Sequence, residues 1–210
     1  MPTIQTLIGE RFENIFSSAF TDFERTDKGS NGATPDFFNS EYGFWAEAKV
    51  GNKRFNAQLK EYQVKNFKSL GEPVLYVVGF HDFDNAHERL GDKSDSARRR
   101  VLAQHMNIVC LYWVSSVVVQ GIYEREWRLN QKGTIKYCDL KQRFLEGIIN
   151  DVSTIREGKQ VNLVDYYGLR DKSLVIEPLK DTNAGFQQGV ILDAQLDRLA
   201  INYLEDVKVL

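Results

Sequence analysis

The stretch Thr34-Pro35-Asp36-Phe37-Phe38-Asn39-Ser40-Glu41-Tyr42-Gly43-Phe44-Trp45-Ala46-Glu47-Ala48-Lys49 sets two apolar runs on either side of a short polar turn. Runs of this kind joined by turn residues predict a pair of antiparallel strands. Side chains alternate along a strand, so Trp45, Glu47 and Lys49 share one face while Phe44, Ala46 and Ala48 share the other. Asp36, at the start of the first strand, is then within reach of Glu47 and Lys49 across the hairpin. Packing alone requires none of these charges. Two carboxylates so placed can hold a hard divalent cation, and the neighbouring ammonium can position water or offset charge on a phosphate.

Working outward, residues 4–20 place Leu7, Ile8, Phe12, Ile15, Phe16, Ala19 and Phe20 at helical spacing, which predicts an amphipathic first helix carrying Glu10 and Glu13. Residues 22–26 predict a short strand, and residues 27–33, including Lys28, a loop before the hairpin. Residues 55–70 predict a helix packed through Phe55, Leu59, Tyr62, Phe67 and Leu70, with Gln58 and Tyr62 four apart on one face. Lys53, Arg54, Lys60 and Lys65 make this region basic and place cations beside the acids for phosphate contact.

The runs 73–80 and 107–113 are continuously apolar, as in central strands covered on both faces. Residues 81–95 between them are rich in charge and turn formers, and residues 96–105 predict a helix with Arg98, Arg99 and Arg100 as a surface for a DNA backbone. Further on, 117–127 reads as a strand or hairpin arm and 135–138 as a short strand. Asp139 caps a helix over 140–150, 161–167 and 174–176 read as strands, and 187–204 as a closing helix. His81, His87 and His105 follow no metal-ligand spacing and read as structural or exposed.

Composition bounds the rest. With 210 residues, 42% of them apolar and 27% charged, the chain suits one soluble globular domain. A formal net charge of -2 argues against coating nucleic acid in bulk but permits a local basic patch beside an acidic site. Cys110 and Cys138 lack CxxC spacing, so a zinc site is not expected and a reducing, cytoplasmic setting is. No segment predicts a membrane span, and neither a repeat nor a linker divides the chain.

The combination resembles the PD-(D/E)XK nuclease superfamily, which includes type II restriction endonucleases, archaeal Holliday junction resolvases and RecB-type nucleases. Pro35-Asp36 looks like the PD half and Glu47-Ala48-Lys49 like the ExK half, with ten residues between the acids. Gly9 to Glu13 resembles the glutamate-bearing first helix of the resolvase-like branch, with Glu13 the preferred match and Glu10 the second. Gln58 to Tyr62 resembles the QxxxY element of the exonuclease-like branch. The likeness covers roughly residues 7 to 80.

The resemblance implies an α/β (α+β) fold, a restriction-endonuclease-like three-layer α/β/α core with a central mixed sheet flanked by helices. Within a single domain of residues 1–210, the core catalytic region spans about 5–115, and 116–210 serve fold completion, DNA recognition or dimerisation. The expected activity is hydrolysis of DNA phosphodiesters with Mg2+, Mn2+ being a possible substitute. Asp36, Glu47, the Ala48 carbonyl and Glu13 would hold the ion, Lys49 would act on the attacking water, and Gln58 and Tyr62 would support. Partners are double-stranded or branched DNA and a second copy of the chain in a homodimer. A restriction-type endonuclease leads, with a resolvase, an exonuclease and a non-catalytic DNA-binding scaffold as alternatives.

Overall fold

The hairpin forms as the sequence predicts. In the computed structural model, which describes residues 1–26, 34–52, 57–67, 69–129, 137–142, 145–146, 174–181, 187–193 and 198–206, β2 (Phe37–Asn39) pairs antiparallel with β3 (Phe44–Asn52). Phe37 stands opposite Ala46 and Asn39 opposite Phe44. Gly43, at φ 67°, supplies the left-handed residue that the turn needs. Its N–H donates to the Asn39 carbonyl at 2.9 Å, and the Tyr42 N–H donates to the Asn39 side chain at 3.0 Å. Asn39 is fully buried and in turn donates to Asp22 at 2.8 Å, so its amide is used on both sides.

Among the described residues seven strands make the main sheet, in the order β1-β2-β3-β5-β6-β9-β8. The two-residue β1 (Glu24–Arg25) edges β2, while β5 (Val74–His81) runs parallel to β3 and β6 (Ile108–Ser115) antiparallel to β5. β9 (Gln187–Asp193) lies parallel to β6, and β8 (Leu174–Asp181) closes the far edge antiparallel to β9. β4 (Ala57–Lys60) and β7 (Tyr137–Leu140) pair as a separate two-stranded sheet.

Helices cover both faces of this mixed sheet. On one face α1 (Ile4–Ala19) presents Leu7, Ile8, Phe12 and Phe16 to Phe44, Ala46, Leu75 and Trp113. The same core takes Ala103 from α4 (Ser96–Gln104) and Tyr203 from α6 (Arg198–Asp206). On the other face α2 (Glu61–Phe67) and α5 (Ser116–Leu129) bury Val64, Phe67, Val118, Val119 and Ile122 against Tyr76, Val78 and Tyr112. β5 is buried along its whole length, which explains its continuous apolar run.

Several expectations give way. Residues 55–70 do not form one helix: Ala57–Lys60 pair with β7, and the helix begins at Glu61. Residues 85–93 within the predicted turn-rich segment form α3 (Asn85–Lys93), started by Asp84, whose side chain accepts from the Ala86 and His87 N–H groups. Residues 117–127 are helical. Their β-branched valines favour a strand locally, but Val118, Val119 and Ile122 fall on the one helical stripe that covers the sheet. Residues 187–193 are a strand, and only 198–206 of the expected closing helix is helical. Ile191 and Leu192, in the apolar run beside β6, are buried in a parallel strand rather than on a helix face. Asp139 belongs to β7 instead of capping a helix; most of 140–150, all of 161–167 and Lys28, Lys53 and Arg54 lie outside the described residues.

α1 can lie close to the sheet because β5 offers a glycine under it. A Cβ built on Gly79 would stand 2.4 Å from the Phe12 ring. Gly79→Ala should therefore cost about 1–3 kcal/mol by overpacking, measured by urea unfolding. Combined with Phe12→Leu it should cost less than the sum of the two single changes. Strict additivity of the pair would contradict this contact as the cause.

Candidate functional site

β3 outruns its neighbour. β2 begins at Phe37, opposite Ala46, so β3 continues from Glu47 to Asn52 with no strand on that side among the described residues. The Asp36 carboxylate takes up the free edge: its Oδ2 accepts from the Ala48 N–H at 3.0 Å. Backbone direction alternates along β3. Trp45 N–H points the other way, to the Pro73 carbonyl at 2.8 Å, so the Ala48 carbonyl is directed over the same edge as its N–H, toward Asp36.

Glu47 is the buried centre of the site, with 1% of its surface exposed. Its Oε2 accepts from the Asp36 N–H at 3.2 Å, and its Oε1 accepts from Gln63 Nε2 at 2.7 Å and from the Lys49 ammonium. Burial pushes the Glu47 carboxyl up to about 7; the Lys49 charge opposes this, and the Asp36 charge adds to it. The acid is thus poised near neutrality, and any added positive charge at this point favours its ionised form.

These groups open into a cleft of about 780 Å³ running from Asp36, Glu47 and Lys49 along β3 to Asn52, with α1 as the opposite wall. Glu10 and Glu13 both line it from α1. Glu13 is paired with Arg25 of β1, which fixes its carboxylate between the first helix and the hairpin. Lys60 lines the cleft and is exposed. At the far end His81 and Glu88 face the same space, and Glu88 accepts from Asn52 Nδ2 at 2.8 Å. Burial lowers the His81 imidazole to about 4, keeping it neutral, and its Nδ1 accepts from the Phe83 N–H at 3.1 Å.

Asp36, Glu47, Ala48, Lys49 and Glu13 all line this one cleft. Gln58 and Tyr62 do not form the expected helical pair. Gln58 lies in β4, and Tyr62 is 42% exposed, outside the cleft, with the Lys60 ammonium 5.8 Å from its ring. Among the described residues the amide that meets Glu47 is that of Gln63, whose Oε1 is buried with no hydrogen-bond partner among them. Its signal was present in sequence: Gln63, Val64 and Phe67 make the buried stripe of α2, and a glutamine on an apolar stripe needs a polar partner. His81, Asn52 and Glu88 carried no comparable mark. Lys65 pairs with Glu61, and Arg98, Arg99 and Arg100 sit on α4, outside the cleft lining.

Among the described residues no group of three or more His, Cys, Asp or Glu side chains is arranged to hold a metal ion. The oxygens at this edge are two carboxylates, Asp36 and Glu47, together with the Ala48 carbonyl. All three are hard donors of the type magnesium takes, and magnesium keeps several waters in sites with only one or two carboxylates. No family model, curated protein or solved structure matches this chain.

Two buried groups titrate with opposite sign. The folded Glu47 carboxyl holds its proton up to about 7 instead of 4.5, so it removes stability as pH rises between those values and a constant amount above. Folded His81 protonates near 4 instead of 6.5, so its stability is full above 6.5 and is lost as pH falls toward 4. With EDTA present, Glu47→Gln should gain on the parent by on the order of 3 kcal/mol between those limits as pH rises. His81→Asn should gain on the parent as pH falls. Urea unfolding followed by tryptophan fluorescence checks both, and a pH-independent difference would exclude burial as the cause.

Proposed function

We propose that the chain is a magnesium-dependent nuclease that hydrolyses DNA phosphodiesters at the end of the Asp36–Lys49 hairpin. The observation that carries the reading is the convergence of Asp36, Glu47 and Lys49 on one side of an open strand edge, at the mouth of a cleft also lined by Glu13. The resemblance to the PD-(D/E)XK pattern supports the same reading, as does the mixed sheet covered by helices on both faces.

Asp36, Glu47 and the Ala48 carbonyl would hold a hard cation, and Glu13 and Glu10 lie along the same cleft for contact through water. A magnesium ion held there would polarise the phosphate and lower the pKa of its water. The chain's own groups do the rest. Lys49 keeps two of its three N–H donors beyond the one given to Glu47, and these can orient the attacking water and stabilise charge growing on phosphoryl oxygens. Gln63 fixes the Glu47 carboxylate from the side opposite Asp36. Lys60, exposed at the cleft, provides a point charge for a neighbouring phosphate.

Asp36→Asn, Glu47→Gln and Lys49→Ala should each lower Mg2+-dependent cleavage of plasmid DNA by at least about 100-fold while leaving the unfolding midpoint near or above that of the parent. Gln63→Leu should lose about 10-fold, because Glu47 keeps its other partners. Gel assays on supercoiled, linear and branched DNA with Mg2+, Mn2+, Ca2+ or EDTA measure these effects. Discrete bands indicate a restriction-type endonuclease, preference for branched DNA a resolvase, and loss of linear ends an exonuclease. If parent and Asp36→Asn proteins behave alike in every lane, the assignment fails.

A further inference from the structure

The helix pair α3 and α4 carries a second feature that the cleft does not use. Between residues 85 and 105 five Lys or Arg side chains stand against three acids, in a chain whose net charge is -2. Asp95 starts α4 by accepting from the Arg98 N–H at 2.8 Å, and Gly91 of α3 lies against Ile4 of α1, where an added Cβ would approach to 2.6 Å. This packing turns Gly91 and Ala103 inward and leaves Leu90 67% and Val101 55% exposed. Together with Leu102 they line a groove of about 520 Å³ between the two helices, rimmed by Lys93, Arg98 and His105. No acidic side chain lines it among the described residues.

We infer that this groove docks an amphipathic helix of a partner protein whose apolar stripe is flanked by aspartate and glutamate. The walls are helices, whose backbone groups are already paired, so the groove offers apolar side-chain contact rather than strand pairing. Its rim carries Lys93 and Arg98, and the pairing of Arg98 with Asp95, at 3.8 Å on an exposed surface, is loose enough to leave both cations selecting acidic flanks. A DNA backbone would gain nothing from Leu90 and Val101. Moreover, Arg99 is turned away from any such surface, donating to the Ser94 carbonyl with its Nε buried. A second copy docking face to face would bring the same cations together.

The test uses the full chain and two synthetic helical peptides of about 18 residues, five turns, with the same leucine face. One carries glutamate on its flanks and the other lysine. Fluorescence anisotropy should show the glutamate peptide binding at least 10-fold more tightly than the lysine peptide, with affinity falling as salt rises. Leu90→Asp and Val101→Asp should each weaken it 10-fold or more, and Arg98→Glu should remove the preference between peptides. Failure of both peptides to bind, or binding indifferent to Leu90→Asp, overturns the inference. So does stronger binding of anionic vesicles or of a duplex oligonucleotide at the same residues, or dimerisation that Leu90→Asp abolishes. None of these readouts depends on DNA cleavage, so they stand or fall separately from the nuclease reading.

Discussion

A carboxylate almost wholly removed from water sets the terms for the rest of the site. Glu47 is buried between β5 and α2, and a buried charge is costly unless paired and hydrogen-bonded. Lys49, Gln63 and the Asp36 backbone meet that cost only in part, since the carboxyl still titrates near neutrality. A cation brought to the same edge would complete the compensation. The position is thus mildly unfavourable alone and well suited to a positively charged ligand, a combination found where function rather than stability decides the residue.

The geometry follows from unequal strand lengths. Because β2 begins only at Phe37, the six residues of β3 from Glu47 to Asn52 have no strand on that side among the described residues, and Asp36 turns its carboxylate into the vacant position. One short strand thereby brings the acids, the Ala48 carbonyl and the ammonium together. α1 supplies the opposite wall through the close contact of Phe12 with Gly79, which sets how near Glu10 and Glu13 stand to β3. At the other end of the chain α6 secures the hairpin: Tyr203 donates to Asp22, and Tyr42 donates to Asp206 at 2.6 Å. The last helix thus holds the turn that carries the site.

The hairpin, the first helix and the two central strands were legible because each has a clean period, two for β3, 3.6 for α1 and a continuous apolar run for β5 and β6. The acids were legible because strands rarely need them. Reading failed where local preference and tertiary burial diverge. The valines of α5 favour a strand in isolation, and the apolar run of β9 is indistinguishable from a buried helix until its neighbour β6 is known. Reading residues 55–70 as one helix likewise missed Gln63, which the shorter helix presents to Glu47. His81, Asn52 and Glu88 meet only because β5 and α3 fold over the end of β3, a juxtaposition between distant segments that no spacing in one sequence encodes.

If Glu47 and Asp36 hold a hard cation, its binding must displace the proton that buried Glu47 retains near neutrality. Titration calorimetry with Mg2+ near pH 7, in two buffers of different ionisation enthalpy, separates binding from that proton release. The parent should bind saturably with release of a fraction of one proton, and Glu47→Gln should lose both binding and release. Absence of binding, or binding unchanged in that variant, would rule out a cation at this edge.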